Sequence, residues 1–380
     1  MRLRNIDLLR GIVMVLMCID HARDYTHFHP ADPMIVEETI FPVYILRILA
    51  HFCAPVFILL AGISARLSGK RKSLEELSKY LFTRGLILCV LEITLVNWAW
   101  NFNPAYKMIY LQIIWAIGIS MVTLSFLIYL KDKYILLFSL IIIAGHNLFD
   151  NVTFEEGTCM YYLWSFLLQK NVLLIADHLF VRTTYPVLPV MALMGLAYVL
   201  GRLYTEKSSE YRQKVFIISG IIGLILFFIL RLLVGYGDPC HWQIFDNNVL
   251  TIMSIFNVTK YPLSLQFLLI TLSVAFLYLG FTDAKCMSVK VSVIELIGKT
   301  PMFFYILHIY ILHSIALLTV LYLGISPDFV NNLGGIPSDF GVPLWWLWWM
   351  IPLTVLGLYP LCKKYLALKQ SKKYKWTAYI

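Results

Sequence analysis

Ten mostly apolar runs, each near the length needed to cross a bilayer, constrain this chain more than any other feature. A helix rising about 1.5 Å per residue needs roughly 20 such residues to cover a hydrocarbon core about 30 Å thick. The runs fall at about 6–21, 41–65, 83–101, 109–129, 134–149, 185–201, 215–234, 263–281, 301–324 and 343–362. Charged residues make up 14% of the chain and its mean hydropathy is +0.75. Soluble domains carry about 25% charged residues, so most of this surface must meet lipid. The expected fold is all-α: a polytopic transmembrane helix bundle of about ten spans, with both termini cytoplasmic. The stretch 160–180 is expected to be an amphipathic or re-entrant eleventh segment, because Gln169 and Lys170 interrupt it. The first run opens with Asp7 and Arg10 and lacks a small-residue cleavage site, which argues against a removable leader. Residues 1–368 are expected to form one membrane domain. A short basic, aromatic tail (369–380) would then lie on the anionic inner leaflet.

Alternating the runs from a cytoplasmic N-terminus separates the 31 Lys and Arg by side. Arg23, Lys107, Lys170, Arg182 and Lys260 are left in outer loops, and Arg10, Arg47 and Arg231 fall within runs. The others face the cytoplasm, as the positive-inside rule requires. The +9 net charge is therefore a topology signal, and no nucleic-acid partner is expected. A multi-pass protein of the cell (inner or plasma) membrane is. The seven cysteines show no metal-ligand spacing such as CxxC, and no metal is expected. Cys159 and Cys240 share the outer side, where a disulfide between them is open.

Histidines avoid the basic face altogether. His21, His27, His29, His51, His146, His178, His241, His308 and His313 all fall on the outer side or within runs. The first run ends in Asp20-His21-Ala22-Arg23-Asp24-Tyr25-Thr26-His27. On a helix Asp20, Asp24 and His27 share a face, with Arg23 beside them. Ionisable groups at membrane depth are costly and mark function more often than packing. A solvated, charged helix end is the plainer reading, but it rarely combines two carboxylates, two imidazoles and a guanidinium. Arg47 and His51 form an i, i+4 pair in the second run, followed by a kink expected at Pro55 and close helix approach at Gly62. Histidine beside carboxylate is the usual general-base arrangement, so Asp20, His21, Arg23, Asp24, Arg47 and His51 are the candidate catalytic residues. Asn101, Gln112, Trp115, Asp238, His241, Lys260, Tyr261 and His27 are candidate substrate-binding residues. Taken singly, each of these fits an interhelical hydrogen bond or an interfacial belt as well. The sequence has no Walker loop, GxGxxG, HExxH or GxSxG, which leaves ATP, nicotinamide, zinc-protease and α/β-hydrolase chemistry without support.

These residues also carry a resemblance. Arg4-Asn5-Ile6-Asp7-Leu8-Leu9-Arg10-Gly11, Asp20-His21 with Arg23-Asp24-Tyr25, Asp32-Pro33, and Arg47 through His51-Phe52-Cys53-Ala54-Pro55 to Gly62 resemble a bacterial membrane family. That family is related to the catalytic domain of heparan-α-glucosaminide N-acetyltransferase. The similarity continues through Gln112 to Gly118, Asn257 to Pro262 and Phe303 to His308. It implies an acyl-CoA-dependent membrane acyltransferase: acyl-CoA enters from the cytoplasm, and an acyl group, in the first place acetyl, passes to an amine or hydroxyl of an extracytoplasmic saccharide. Under it, Arg84 and His308 would bind the cosubstrate. His21 or His51 would be the base, Asp20 or Asp24 would orient the ring, and Arg23 or Arg47 would stabilise the oxyanion. The lysosomal branch carries asparagine at the place of His21 and aspartate at that of His51. Its catalytic histidine lies in the intervening loop, where His27 and His29 are approximate matches. A homodimer is an open assembly. The rival class is a proton-coupled transporter using the same Asp, His and Arg groups, although carriers place their sites near the midplane.

Overall fold

The computed structural model describes residues 3–27, 32–283, 292–328, 335–337 and 340–379; His29 lies outside them. In chain order the helices begin with α1 (Arg4–Thr26), α2 (Phe41–His51), α3 (Cys53–Gly69), α4 (Leu74–Leu91) and α5 (Asn97–Asn101). Strand β1 (Met108–Leu111) follows, then α6 (Ile113–Leu127), α7 (Asp132–Gly145) and α8 (Cys159–Leu167). A hairpin, β2 (Val172–Ala176) and β3 (Leu179–Thr183), leads to α9 (Val187–Leu200), α10 (Arg202–Glu206), α11 (Ser209–Ile229), α12 (Asn248–Phe256) and α13 (Leu265–Thr282). The last helices are α14 (Ser292–Lys299), α15 (Pro301–Tyr322) and α16 (Leu347–Ser371).

Among the described residues, eight helical stretches are long and apolar enough to cross a membrane. They are Phe41–Gly69, Leu74–Asn101, Asp132–Phe149, Val187–Glu206, Ser209–Val234, Leu265–Thr282, Pro301–Tyr322 and Leu344–Ser371. Each coincides with one of the ten expected runs. The other two runs are helical but different in kind. α6 has 15 residues, about 22 Å of helix at the usual rise and short of a full crossing. α1 is long but carries Arg4, Asp7, Arg10, Asp20, Arg23 and Asp24.

The all-α expectation needs correcting. Strands β1, β3 and β2 form a small sheet in that order, with β1 parallel and β2 antiparallel to β3. Segment 160–180 is therefore a short helix followed by half a hairpin. Gln169 and Lys170 stop the helix, and the β-branched and large apolar residues of Val172–Ala176 suit a strand. Asp177 and His178 make the two-residue turn, His178 with φ 69° in the left-handed region. Leu111, Leu173 and Val181 form the buried seam, against which Trp115, Tyr161 and Phe166 pack. Cys159 and Cys240 are both free thiols.

The chain divides into two compact units. The first gathers residues 1–53, 94–107 and 288–380; the second holds 54–93 and 108–287. In the first unit, α1 packs on α2, α14, α15 and α16. Helices α1 and α14 touch backbone to backbone at Gly11 and Gly298. A Cβ on Gly298 would strike the Asp7 carbonyl, and one on Gly11 the Ile294 carbonyl. Arg10 donates to Asp7 Oδ1 and to the Gly298 carbonyl, both at 3.0 Å, so its charge is held inside the contact. Arg4 and Lys299 converge on Glu295 at 3.1 and 2.5 Å. The break expected from Pro55 falls at Phe52, because proline offers no N–H to the carbonyl four residues back, that of His51.

In the second unit, Gly62 provides the close approach expected of it: a Cβ there would lie 2.7 Å from the Met194 carbonyl. Arg231, buried in a π-helical turn at Leu230–Val234, donates to the carbonyls of Ser254, Asn257, Ile255 and Cys240. It thereby ties the 235–262 loop to its own helix.

Candidate active site

The polar end of α1 is an ion lattice inside the first unit. Arg23 is only 1% exposed, and an isolated guanidinium at such depth would be strongly disfavoured. Its Nη2 lies 2.7 Å from Asp20 Oδ1 and 2.6 Å from Asp24 Oδ1. Arg47, from α2, reaches Asp20 Oδ2 at 2.9 Å. Two carboxylates and two guanidiniums alternate, so the formal charges cancel. The helical spacing places Asp20, Arg23 and Asp24 together, and α2 brings Arg47 against them. His51 is buried one turn beyond Arg47. His27 departs from the expected shared face. The helix ends there, His27 forms an isolated β-bridge with Val342, and its Nδ1 lies 3.0 Å from the Val342 carbonyl.

His21 pairs with a second imidazole. Its Nδ1 lies 2.9 Å from Nε2 of His308, a fully buried residue of α15 that is 287 positions away in sequence. Nδ1 of His308 is 2.9 Å from the Phe304 carbonyl one turn earlier. These two contacts fix the tautomers. A carbonyl can only accept, so His308 carries its proton on Nδ1 and offers the Nε2 lone pair. His21 must then donate from Nδ1, which leaves the lone pair of a neutral imidazole on Nε2. One partner of His21 is thus a second imidazole, a pairing the sequence did not point to. His308, expected at the cosubstrate, lies here against His21.

Aromatic rings surround the pair. Trp100, on α5, meets His21 edge-on with centroids 4.9 Å apart, and Tyr305 meets it at 6.2 Å. Tyr25 lies between Trp100 (5.2 Å) and His313 (4.8 Å), stacked on both. The Ala99 carbonyl accepts from the Tyr25 hydroxyl at 3.4 Å and from His313 Nδ1 at 2.7 Å. Asn101 folds back on Asn97, donating to its carbonyl at 2.9 Å and its Oδ1 at 3.1 Å. Trp100 does not stand out in the sequence, where it is an ordinary aromatic of an apolar run. Only its contact with His21 marks it.

The other sequence candidates belong to the second unit. Arg84 Nη1 bonds the Tyr80 hydroxyl at 3.1 Å. Gln112 precedes α6, and the Trp115 amide donates to Glu92 Oε2 at 3.0 Å, so a buried carboxylate from another helix caps that N-terminus. Asp238 is a loop knot. It accepts from the Cys240 and Thr259 amides at 2.8 Å each and from the Thr259 and Ser264 hydroxyls at 2.8 and 2.5 Å. Lys170 and Lys260 both lie over the Tyr261 ring, and His241 is exposed.

A half-buried His21 paired with a fully buried His308, flanked by aromatics and beside a neutral lattice of Asp and Arg, sits in a polytopic helical membrane protein. The chain belongs to the family described as heparan-alpha-glucosaminide N-acetyltransferase, catalytic, which it matches over residues 2–229. It is accordingly a membrane protein of the acetyltransferase kind. The match contains His21, the ion lattice and Trp100 and ends before His308. A comparison with curated proteins finds no match.

Proposed function

We propose that this protein transfers an acyl group, in the first place acetyl, from cytoplasmic acyl-CoA to an amine or hydroxyl on an extracytoplasmic, saccharide-type acceptor. The observation that carries this reading is the His21–His308 pair, which leaves a basic nitrogen on His21 Nε2 within an aromatic enclosure. In the proposed step Nε2 takes the proton from the acceptor N–H or O–H as that atom attacks the thioester carbonyl carbon. The carbon–sulfur bond breaks as the tetrahedral species collapses, and the imidazolium returns its proton to the departing CoA sulfur. His308 acts as a positioning residue. Its Nε2 lone pair holds the His21 tautomer and strengthens its bond when His21 becomes charged. The Asp20, Arg23, Asp24 and Arg47 lattice fixes the end of α1 that carries His21.

His21 serves as the base here, its tautomer set by its bond to His308. Direct attack in a ternary complex suffices, since one exchange needs no covalent stop. Release of free CoA thiol from acetyl-CoA, measured with purified protein in proteoliposomes and an aminosugar as probe acceptor, tests the proposal. General-base loss costs about 10²- to 10⁴-fold, and that is the range expected for His21→Ala. His308→Ala should fall nearly as far. His308→Gln should keep part of the rate, because its amide oxygen can still accept from His21. Near-normal turnover in both alanine variants would end the proposal. Gradient-driven uptake without acetyl-CoA turnover would favour a carrier.

A further inference from the structure

Trp100 carries a hydrogen-bond donor with no acceptor among the described residues. The residue is 7% exposed, and its indole Nε1 is buried with no acceptor in bonding range among the described residues. Indole N–H is a donor only, and when buried it ordinarily finds a partner. The ring is also held firmly in place. The carbonyl of the preceding residue, Ala99, accepts from both Tyr25 and His313, and Tyr25 stacks on the indole itself. A rigid donor with no acceptor among the described residues therefore sits edge-on to the imidazole of His21, at 4.9 Å between centroids.

We infer that the Trp100 indole N–H binds the thioester carbonyl oxygen of the acyl donor and stabilises the oxyanion formed when that carbonyl is attacked. The inference rests on the acyl-transfer reading of the site. A base that takes the proton of the attacking atom lies close to the carbon under attack, and the oxygen on that carbon then falls within reach of a ring in contact with the base. The charged alternatives are already engaged: Arg23 with Asp20 and Asp24, and Arg47 with Asp20. A neutral, preorganised, buried donor is the kind of group that stabilises a developing oxyanion without moving. No covalent bond is made to Trp100. The negative charge on oxygen collapses as the carbon–sulfur bond breaks, and the indole keeps its proton throughout.

Trp100→Phe keeps a flat aromatic ring against Tyr25 and His21 and removes only the donor edge. With full-length protein in proteoliposomes and acetyl-CoA, kcat should fall on the order of 10²-fold, with KM for acetyl-CoA within about threefold. Trp100→His, which restores a ring N–H, should recover part of the loss. In the wild-type protein, the carbonyl stretch of acetyl-CoA labelled with ¹³C at the carbonyl should move to lower frequency on binding. Trp100→Phe should abolish that shift, and a purely structural role would leave it unchanged. A wild-type spectrum with no shift would overturn the inference even if the variant failed to fold. So would Trp100→Phe turnover within about threefold of wild type while His21→Ala is inactive. Normal turnover in His21→Ala would instead remove the acyl-transfer reading, and this inference with it.

Discussion

Asp20 shows how a charge becomes tolerable at this depth: each carboxylate oxygen faces a guanidinium from a different helix. Such a lattice adds little net stability over a well-packed apolar core, yet breaking it is strongly destabilising, because the remaining partner stays buried and uncompensated. Asp20→Asn should therefore lower stability by about 3–5 kcal/mol, read as a large drop in Tm in detergent. Pairing it with Arg47→Gln should cost less than the two single losses together, since the pair share one interaction. A single variant melting with the wild type would show that the lattice does not hold the end of α1. Residue-scale reasoning from sequence reached these partners because helical spacing fixes Asp20, Arg23 and Asp24 on neighbouring positions. It missed the pairing of His308 with His21 because no local rule joins positions 287 apart, and it missed Trp100 because an unused indole N–H shows only once the surrounding acceptors are known.

Helices at this scale are governed by how their ends and crossings are satisfied. Glu92 is fully buried, and its Oε2 takes the Trp115 amide at the start of α6, where Gln112 supplies no side-chain cap. Glu92→Ala should cost about 1–2 kcal/mol, as lost caps do, and Glu92→Gln should cost less because an acceptor remains. Equal melting of all three proteins would exclude a capping role. Glu295 offers a pH test at the α1–α14 crossing. The Lys299 ammonium, and beyond it the Arg4 guanidinium, hold the Glu295 carboxyl below the usual carboxylate range. A carboxyl lowered on folding contributes stability in full above its unfolded value of about 4.3, and that contribution is lost as pH falls through the lower, folded value. Wild-type Tm should thus decline between about pH 5 and pH 3 more steeply than that of Glu295→Gln, with parallel profiles counting against the ion pairs. The long apolar helices were legible because length and hydropathy alone define them. The β2–β3 hairpin was not, because a run of five apolar residues has no periodicity that separates strand from helix.

Across the whole molecule the chain builds its first unit from three separated stretches, 1–53, 94–107 and 288–380, and all parts of the histidine site lie within them. A family match over residues 2–229 therefore covers His21 and the ion lattice but not α15, which carries His308. The proposed reaction also makes a demand on topology: the thioester must come from the basic face and the acceptor from the histidine-rich one. Cys159 tests that directly. It is an exposed, free thiol at the start of α8, in a loop that the charge pattern assigns to the outer side. Among the described cysteines, Cys18, Cys53, Cys89 and Cys362 are buried and Cys240 is partly so. A membrane-impermeant maleimide applied to intact cells should thus label the wild type, and Cys159→Ser should lose most of the signal. Labelling of Cys159 only in inside-out vesicles would put the loop in the cytoplasm. The alternation that sets acceptor and donor on opposite sides would then fail, and with it the proposed direction of transfer, even if the His21–His308 chemistry survived.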